Sequence, residues 1–356
     1  KNILKKLNNG IFPFPVNDKT LIKKTKNLKN KKNFIATNNL KEISKSKIII
    51  CSINFDILKI KKKFKTNSNQ FISIMKKIAL NINENSTLII ESTLPPGFSE
   101  NEIIPLFKKI FLKRKIDTNK VKIAYSFERV MPGKEYYNSI KNMHRVYSAN
   151  NKQAEKDCKN FFENLINTKK FPLIKMKNIR SVELTKVIEN SYRASNIAFM
   201  QEWTKFSEKL NVNLNEVINA IKVRPTHSNI MRPGLGVGGY CLTKDSLLAM
   251  YSSKKIYKNT EINFPFSELA IKTNVKMPIH TIKVIKKLTK QKLNNKKVLI
   301  YGASYKNDIG DTRYSPSEIL YENLKTLKCF IKVCDPFVKF WKELNINVKP
   351  NINKIE

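Results

Sequence analysis

Short apolar runs of strand length alternate with helical patterns in the first half of the 356-residue chain, and this alternation constrains its fold more than any other feature. The runs at 47–53, 87–91 and 121–125 are apolar enough to be buried strands. Between them, 71–82 and 100–113 carry apolar residues at the spacing of one helical face. Strands that alternate with helices form βαβ units, so the sequence predicts an α/β fold with a parallel sheet.

Two polar, glycine-ended segments directly follow two of these strands. They are Ser-Thr-Leu-Pro-Pro-Gly at 92–97 and Ser-Phe-Glu-Arg-Val-Met-Pro-Gly at 126–133. Because ligands of parallel sheets bind at the carboxyl ends of the strands, both segments are predicted to face a ligand.

Helical patterns dominate the middle of the chain. The longest, at 181–210, has no internal proline or glycine. A shorter helix is predicted at 214–221, another begins near Cys241, and a helical stretch at 264–289 is interrupted by Pro278. Strand patterns return at 297–302 and 329–334, which predicts a second α/β domain.

The composition excludes several classes of protein. No apolar run approaches the ~18 residues of a membrane-spanning helix, and no secretory signal opens the chain, so we expect a cytoplasmic location. The five cysteines are scattered without a CxxC pair, and the chain has 3 histidines. Neither a disulfide framework nor a metal site is therefore predicted.

The formal net charge of +40 is typical of nucleic-acid-binding proteins. Lysines recur along the whole chain, however, as a compositional bias would distribute them. High net charge bears on solubility and nonspecific binding rather than on fold. We therefore favour an anionic small-molecule ligand over nucleic acid as the partner.

Four of the 9 glycines lie between Gly234 and Gly239, directly before Cys241. Glycine permits positive φ and close backbone approach, and successive N–H groups can form an anion-binding concavity. A helix start and a nearby lysine, here Lys244, both stabilise a thiolate. Asp245, four residues after the cysteine, would share its helix face and assist the sulfur. The alternative is a glycine-rich turn before an ordinary buried cysteine, and these residues leave both interpretations open.

Lys186 and Asn190 form a second pair with helical i, i+4 spacing. A lysine and an amide on one face can stabilise an oxyanion. The alternative is a solvated helical charge beside a polar neighbour.

Five segments together resemble the UDP-glucose/GDP-mannose dehydrogenase family of nucleotide-sugar 6-dehydrogenases. They occur in the family's order and span essentially the whole chain: STLPPG (92–97), SFERVMPGK (126–134), ELTKVIENSYRASNIAFMQE (183–202), RPGLGVGGYCLTKD (232–245) and YKNDIGDTRYSPSE (305–318). The resemblance implies a Rossmann-like NAD-binding domain at 1–178, a helical central domain at 179–290 that forms a homodimer, and a nucleotide-sugar-binding α/β domain at 291–356.

The resemblance also implies a two-step oxidation with NAD as the cofactor. The C6 alcohol of a nucleotide-linked sugar loses a hydride, and Cys241 captures the aldehyde as a thiohemiacetal. A second hydride transfer gives a thioester, which water hydrolyses to the carboxylate. Because the tetrahedral species carry negative charge, positioned cations and hydrogen-bond donors help.

Residue roles are implied by position in the motifs. Lys186 and Asn190 resemble the oxyanion and water-orienting pair, and Asp245 the acid/base partner or water binder. Glu128 resembles the base for thioester hydrolysis, and Thr93 orders a water beside the nicotinamide. The implied substrate contacts are Arg232, Gly234, Gly236, Gly238, Tyr305, Lys306 and, across a dimer, Arg224; the implied cofactor contacts are Ser92, Thr93, Lys244 and Arg313. Taken singly, the charged members could be plain surface residues and Thr93 a turn residue.

The sequence departs from the family at both ends. The family opens with a strand, GxGxxG and a helix, and then an acid that binds the cofactor ribose; this chain shows none of them, and its last domain stops shortly after 335–338. We therefore expect a fragment of a longer gene product, one whose melting temperature does not change with saturating NAD. The segment SINFD at 52–56 also replaces the family's Thr-Pro turn.

The sugar is only partly indicated. GVGGYC resembles the GVGGHC variant more than GFGGSC, which favours a UDP-linked N-acetylhexosamine over UDP-glucose, whereas DIGDTRYSP is nearer to the glucose branch. Two other interpretations stay open: an inactive remnant, and a basic nucleic-acid-binding protein on this scaffold. Steep salt dependence of DNA binding would indicate the latter.

Overall fold

The computed structural model describes residues 2–14, 16–31, 33–60, 63–259, 261–290 and 292–351. The chain forms two compact units. Unit 1 spans Lys1–Ile188 and Leu247–Asn263, and unit 2 spans Glu189–Ser246 and Phe264–Glu356. The predicted three-domain division stays a prediction.

Helices and strands follow one another along the described part of the chain. The helices are α1 (Asn2–Asn8), α2 (Lys19–Lys26), α3 (Ser68–Asn81), α4 (Ile104–Lys113), α5 (Tyr136–Lys141), α6 (Lys152–Leu165), α7 (Ile179–Leu210), α8 (Leu214–Lys222), α9 (Asp245–Tyr251), α10 (Pro265–Thr289) and α11 (Pro316–Thr326). The strands are β1 (Ile48–Cys51), β2 (Ile57–Ile60), β3 (Lys63–Thr66), β4 (Thr87–Ile90), β5 (Ile123–Tyr125), β6 (Val146–Ala149), β7 (Ile174–Lys175), β8 (Lys297–Tyr301), β9 (Phe330–Cys334), β10 (Phe340–Trp341) and β11 (Ile346–Asn347).

Unit 1 is built on a five-stranded sheet with the strand order β1-β4-β5-β6-β7. Strands β1, β4 and β5 are parallel, as the alternating pattern predicts. Strand β6 was not predicted and runs antiparallel to β5, so the sheet is mixed. The three parallel strands therefore end at one edge, where 92–97 and 126–133 begin.

Helices cover the sheet of unit 1 through their apolar faces. In α6, Cys158 and Phe162 are fully buried and pack in one cluster with Ile89 and Tyr147 of the sheet. Helix α3 buries Phe71 and its neighbours one turn apart, as its helical period requires. A short π-helix, Ser99–Ile103, leads directly into α4.

Helix α7 confirms the long helix predicted from sequence. It runs for 32 residues, and the boundary between the units falls inside it, after Ile188. Its uninterrupted length follows from the absence of proline and glycine in 181–210.

The C-terminal part of unit 2 is a βαβ element. Strands β8 and β9 are parallel, with α11 between them in the chain, and β10 pairs antiparallel with β11. Trp341 is fully buried in a cluster that includes Leu324 of α11 and Ile300 and Val333 of the strands. The predicted second α/β element is therefore present.

Two details of the predicted helices are wrong: where α9 begins, and the interruption of α10 at Pro278. The helix expected near Cys241 begins at Asp245, and 240–244 form turns that lead into it. Pro278 does not interrupt α10, which continues through it. A proline inside a helix leaves the carbonyl four residues earlier without its helical N–H partner. That carbonyl, of Asn274, lies 2.8 Å from the position of a Cβ on Gly236, so the glycine loop comes close to it.

Candidate active site

In unit 1, Ser92 follows β4 and forms hydrogen bonds with residues at the carboxyl ends of β1 and β5. Its Oγ accepts the N–H of Ile53 at 3.0 Å and donates to the carbonyl of Cys51 at 3.4 Å. The hydroxyl of Tyr125 donates to the carbonyl of Ser92 at 2.9 Å. The next residue, Thr93, is half-buried. The two predicted cofactor residues of unit 1 therefore lie at the edge of the sheet where ligands bind.

Lys186 of α7 is buried, with 6% of its surface exposed. Its Nζ donates to the carbonyl of Glu128 at 2.9 Å and lies 5.2 Å from the ring centroid of Phe127. The carboxylate of Glu128 in turn accepts the N–H of Val130. Lys186 is therefore not a solvated surface charge, and the structure brings it to the segment that carries Glu128.

Glu183 lies on α7 three residues before Lys186 and is completely buried. Its Oε2 accepts the N–H of Gly97 at 2.6 Å, and its Oε1 accepts the N–H of Ser99 at 3.0 Å. Burial raises the pKa of Glu183 to about 8, although the hydrogen bonds from Ser99 and Gly97 act in the opposite direction. Glu183 was not predicted from the sequence. The available signal was an acid on the same helix face as Lys186.

A buried ion pair lies beside the same sheet edge. Arg145 Nη1 and Glu91 Oε1 are 2.8 Å apart, and the side chain of Arg145 is 4% exposed. Burial raises the pKa of Glu91, Arg145 lowers it, and the charge of Glu128 raises it further. The two acids are therefore close enough to interact. This pair too was missed, because no motif marks it.

In unit 2, Asp245 connects two of the sequence motifs. Its Oδ2 accepts a hydrogen bond from Asn190 Nδ2 at 2.6 Å, and its Oδ1 accepts one from Lys244 Nζ at 3.1 Å. Its N–H donates to the carbonyl of Cys241 at 3.0 Å. Asp245 is 1% exposed. The structure therefore brings Asn190, Asp245 and the backbone of Cys241 together.

The ring of Tyr240 lies next to two predicted cofactor residues. Lys244 Nζ is 4.3 Å from its centroid, and Arg313 Cζ is 5.3 Å from it. Arg313 also donates to both carboxylate oxygens of Asp311, at 2.9 and 2.7 Å. Cation–π contacts of this kind hold cations in fixed positions. Sequence analysis did not assign a role to Tyr240.

The glycine loop packs against Tyr305. Gly239 has a φ of +85°, and a Cβ built on it would lie 2.6 Å from the Tyr305 ring. Burial raises the pKa of Tyr305 to about 12, and the charges of Asp311 and Cys241 add to this effect. Tyr305, a predicted substrate residue, is therefore near both the loop and the cysteine.

We expect Gly238→Ala to destabilise unit 2 by about 1–3 kcal/mol, the usual cost of overpacking. A Cβ at Gly238 would lie 2.5 Å from the Tyr305 side chain and 2.8 Å from the carbonyl of Tyr314, a backbone atom that cannot rotate away. Gly234→Ala is the matched control, because a Cβ there meets nothing within 4 Å. Chemical denaturation of both variants measures the difference, and equal stabilities would contradict the close packing.

The other predicted substrate residues lie at the surface. The guanidinium of Arg232 donates to Asn215 Oδ1 and Asn219 Oδ1 on α8, at 2.6 Å each. Arg224 is exposed at the start of a short 3₁₀ helix. Lys306 is exposed at the surface. Its partial desolvation and the nearby charge of Arg193 both lower its pKa.

Membrane-spanning helices, metal sites and disulfides were searched for among the described residues. In that part of the chain, no helix is long and apolar enough to cross a membrane. No group of three or more His, Cys, Asp and Glu side chains there is arranged to hold a metal ion. None of the five cysteines forms a disulfide within the described ranges.

Comparison with protein families matches three domain models of one family. The NAD binding domain of the UDP-glucose/GDP-mannose dehydrogenase family matches residues 1–166, its central domain matches 180–276, and its UDP binding domain matches 299–354. The chain belongs to the UDP-glucose/GDP-mannose dehydrogenase family. The resemblance predicted from the five motifs is confirmed, and NAD is confirmed as the cofactor at the level of the family.

Individual members of the family are similar over most of this chain. A UDP-N-acetyl-D-mannosamine dehydrogenase from Methanocaldococcus jannaschii is 32% identical over 260 residues, 72% of this chain and 55% of the relative. A UDP-glucose 6-dehydrogenase from Rickettsia bellii is 28% identical over 73% of this chain and 57% of that protein. The chain thus spans between 54% and 58% of the first three relatives that it matches.

Solved structures agree on the fold. The UDP-D-ManNAc dehydrogenase from Pyrococcus horikoshii superposes with a TM-score of 0.81 at 22% identity, over 94% of this chain and 76% of that one. The UDP-N-acetyl-mannosamine dehydrogenase Cap5O from Staphylococcus aureus gives a TM-score of 0.79 at 22% identity, over 98% and 77%. The predicted α/β fold class is therefore confirmed.

Proposed function

We propose that this chain carries catalytic residues of an NAD-dependent dehydrogenase that oxidises the C6 alcohol of a UDP-linked N-acetylhexosamine to the carboxylate. The observation that carries the proposal is the 2.6 Å hydrogen bond from Asn190 to Asp245, whose own N–H donates to the carbonyl of Cys241. Three residues with proposed catalytic roles, from two separate motifs, thereby meet within unit 2.

The relatives support the choice of sugar. The protein from M. jannaschii, at 32% identity, is named a UDP-N-acetyl-D-mannosamine dehydrogenase, whereas the UDP-glucose enzyme from R. bellii is 28% identical. We therefore propose UDP-N-acetyl-D-mannosamine as the substrate and UDP-glucose as the alternative.

The residues present fit a dinucleotide cofactor. Ser92 and Thr93 lie at the carboxyl ends of the parallel strands of unit 1, and in unit 2 the cations Lys244 and Arg313 contact one ring. In the proposal, Ser92 and Thr93 would hold NAD at the sheet edge of unit 1, and a bound NAD would supply the hydride acceptor for each oxidation. Lys244 and Arg313 keep the cofactor role that the family resemblance implies.

The thiol of Cys241 supplies the covalent step. After the first oxidation, the thiolate attacks C6 of the aldehyde, a C–S bond forms, and the carbonyl π electrons move to the oxygen. The family resemblance assigns the stabilisation of this oxyanion to the amide of Asn190 and the ammonium of Lys186. Loss of a hydride from C6 then gives the thioester.

Glu128 is the proposed base of the last step. It takes a proton from a water that Thr93 helps to orient, the hydroxide adds to the thioester carbonyl, and the C–S bond breaks. Asp245 takes the proton of the thiol when the thiolate forms and returns it to the sulfur as the C–S bond breaks. Each sugar thus consumes one water and two hydride acceptors and yields one carboxylate.

The substrate assignment is tested by incubating the protein with NAD and, separately, UDP-N-acetyl-D-mannosamine, UDP-glucose and GDP-mannose. We expect acid and reduced nicotinamide from the first sugar, in a ratio of one to two. Acid from UDP-glucose alone would select the alternative substrate. Absence of acid from every sugar, in a protein shown to be folded, would contradict the proposed function.

We also propose that the protein forms a homodimer through α7. Phe199, Trp203 and Phe206 are each about half exposed, and their rings contact one another with centroids 6.2 and 6.0 Å apart. A contiguous aromatic patch of this kind on a long helix is typical of a protein interface. A cytoplasmic location stays a prediction.

Trp203→Lys is expected to shift the protein from dimer to monomer in sedimentation velocity. Placing a charge in an aromatic interface removes apolar contact and buries an ammonium, at a cost of a few kcal/mol. Leu288→Lys is the control, because Leu288 is 76% exposed and lies in the last turns of α10. A variant at 203 that sediments like the wild type would place the interface elsewhere.

A further inference from the structure

Glu183 is a buried acid to which the proposed reaction gives no role. Its side chain is 0% exposed, and both carboxyl oxygens point at backbone N–H groups, those of Gly97 and Ser99. Burying a carboxyl group costs free energy that an apolar residue of similar size would not. Buried ionisable groups of this kind are often found at functional sites.

The two partners of Glu183 belong to the segment that carries Ser92 and Thr93. That segment leaves β4, turns at Gly97, whose φ is +86°, and enters the π-helix Ser99–Ile103. Gly97 has no room for a side chain, because a Cβ would lie 2.2 Å from the hydroxyl of Tyr257. Glu183 therefore binds the segment at Gly97, where the backbone leaves no room for a side chain.

A second contact, made by Lys186, joins α7 to the segment that follows β5. Lys186 lies on the same face of α7, one turn after Glu183, and its ammonium donates to the carbonyl of Glu128 at 2.9 Å. The strand-end segments after β4 and β5 are thus both bound to one turn of α7, the first by the carboxyl group of Glu183 and the second by the ammonium of Lys186.

We propose that Glu183 is a positioning residue: its carboxyl group binds the segment carrying Ser92 and Thr93 to α7 and so fixes that segment relative to Lys186. The inference rests on the proposed function for the meaning of that geometry, but the link itself exists without it. Small displacements of positioned groups cost on the order of 10²-fold in rate, so the link affects turnover rather than substrate binding.

Other charges near Glu183 do not replace it. Glu100 raises its pKa and is itself bonded to Arg180, with Arg180 Nε 2.7 Å from Glu100 Oε2. Glu100 also accepts the backbone N–H of Arg180 at 3.2 Å. It is a nearby acid on the π-helix that binds a different partner, which makes Glu100→Gln a matched control.

The link is tested first without any assay of activity. Protein labelled with ¹⁵N-glycine has 9 glycine amides, and ¹³C-carbonyl proline selects the three that follow a proline, Gly97 among them. In Glu183→Gln, an N–H₂ group replaces one acceptor oxygen, so we expect the Gly97 proton to move upfield and to exchange roughly tenfold faster. Glu100→Gln should leave it unchanged. An unchanged Gly97 signal in Glu183→Gln, or an equal change in both variants, overturns the link.

The positioning role is then tested by kinetics. We expect Glu183→Gln to lower kcat by about 10- to 100-fold while KM for the sugar stays within about twofold. An unchanged kcat, or a rise in KM alone, overturns the role. Because the spectrum reports on the link in a protein with or without turnover, an inactive wild type with an intact Gly97 response would contradict the proposed function and leave the fastening by Glu183 standing.

Discussion

Cys241→Ala is expected to lower the rate of acid formation from the nucleotide sugar by at least about 10³-fold, because without the sulfur no thioester forms. Cys241 is half-buried, at the end of a glycine loop in which Gly238 and Gly239 approach Tyr305 too closely for side chains. Its carbonyl accepts the N–H groups of Lys244 and Asp245, at 3.2 and 3.0 Å. The measurement is the steady-state rate of acid production.

The control for this substitution is Cys329→Ala. Cys329 is also half-buried in unit 2, but its Sγ donates to the carbonyl of Leu293 at 3.1 Å, in the C-terminal α/β part. We expect this variant to keep its rate within about twofold, since the change removes one half-buried sulfur that lies outside the five motifs. Equal rates for Cys241→Ala and the wild type would show that the proposed covalent mechanism is wrong.

Asp245→Asn is expected to reduce both stability and activity strongly. The substitution removes the negative charge beside the buried ammonium of Lys244, and breaking a buried pair costs about 3–5 kcal/mol. It also places one amide against another, that of Asn190. Loss of a proton-transfer group lowers rates by about 10²- to 10⁴-fold. Denaturant titration and initial rates measure the two effects separately.

Asp311→Asn provides the comparison for stability. Its partner Arg313 has a side chain that is 51% exposed, and exposed pairs contribute only about 0.2–1 kcal/mol. The double variant Lys244→Met/Asp245→Asn should recover much of the stability, because it removes both buried charges. If Asp245→Asn were as stable and as active as the wild type, the buried network around Asp245 would have neither the energetic nor the chemical role given to it.

The sequence could predict the elements whose signal is local. The apolar periodicity of 71–82 and 181–210 and the compact apolar runs at 47–53 and 87–91 correspond to α3, α7, β1 and β4. Strand β6 escaped prediction because its four residues pair antiparallel with β5, and that choice depends on tertiary contacts. The continuity of α10 through Pro278 escaped for a similar reason, since packing of the buried proline outweighs its intrinsic preference.

In the candidate site, too, residues within motifs could be predicted and residues that depend on tertiary contacts could not. Asn190 and Asp245 were both identified from motifs, and they bond to each other although 55 positions separate them. Glu183 was missed because its partners are backbone N–H groups 84 and 86 positions away, which no spacing reveals. Tyr240 was missed because its role depends on Arg313, which the fold brings to the ring from another motif.

Mass spectrometry of the protein quenched in acid during turnover tests the covalent role of Cys241 most directly. In Glu128→Gln, hydrolysis of the thioester is slowed, so the peptide that contains Cys241 should gain the mass of the oxidised nucleotide sugar, and the peptide that contains Cys329 should not. Steady production of acid by the wild type, with the Cys241 peptide unmodified in both proteins at every time point, would contradict the account.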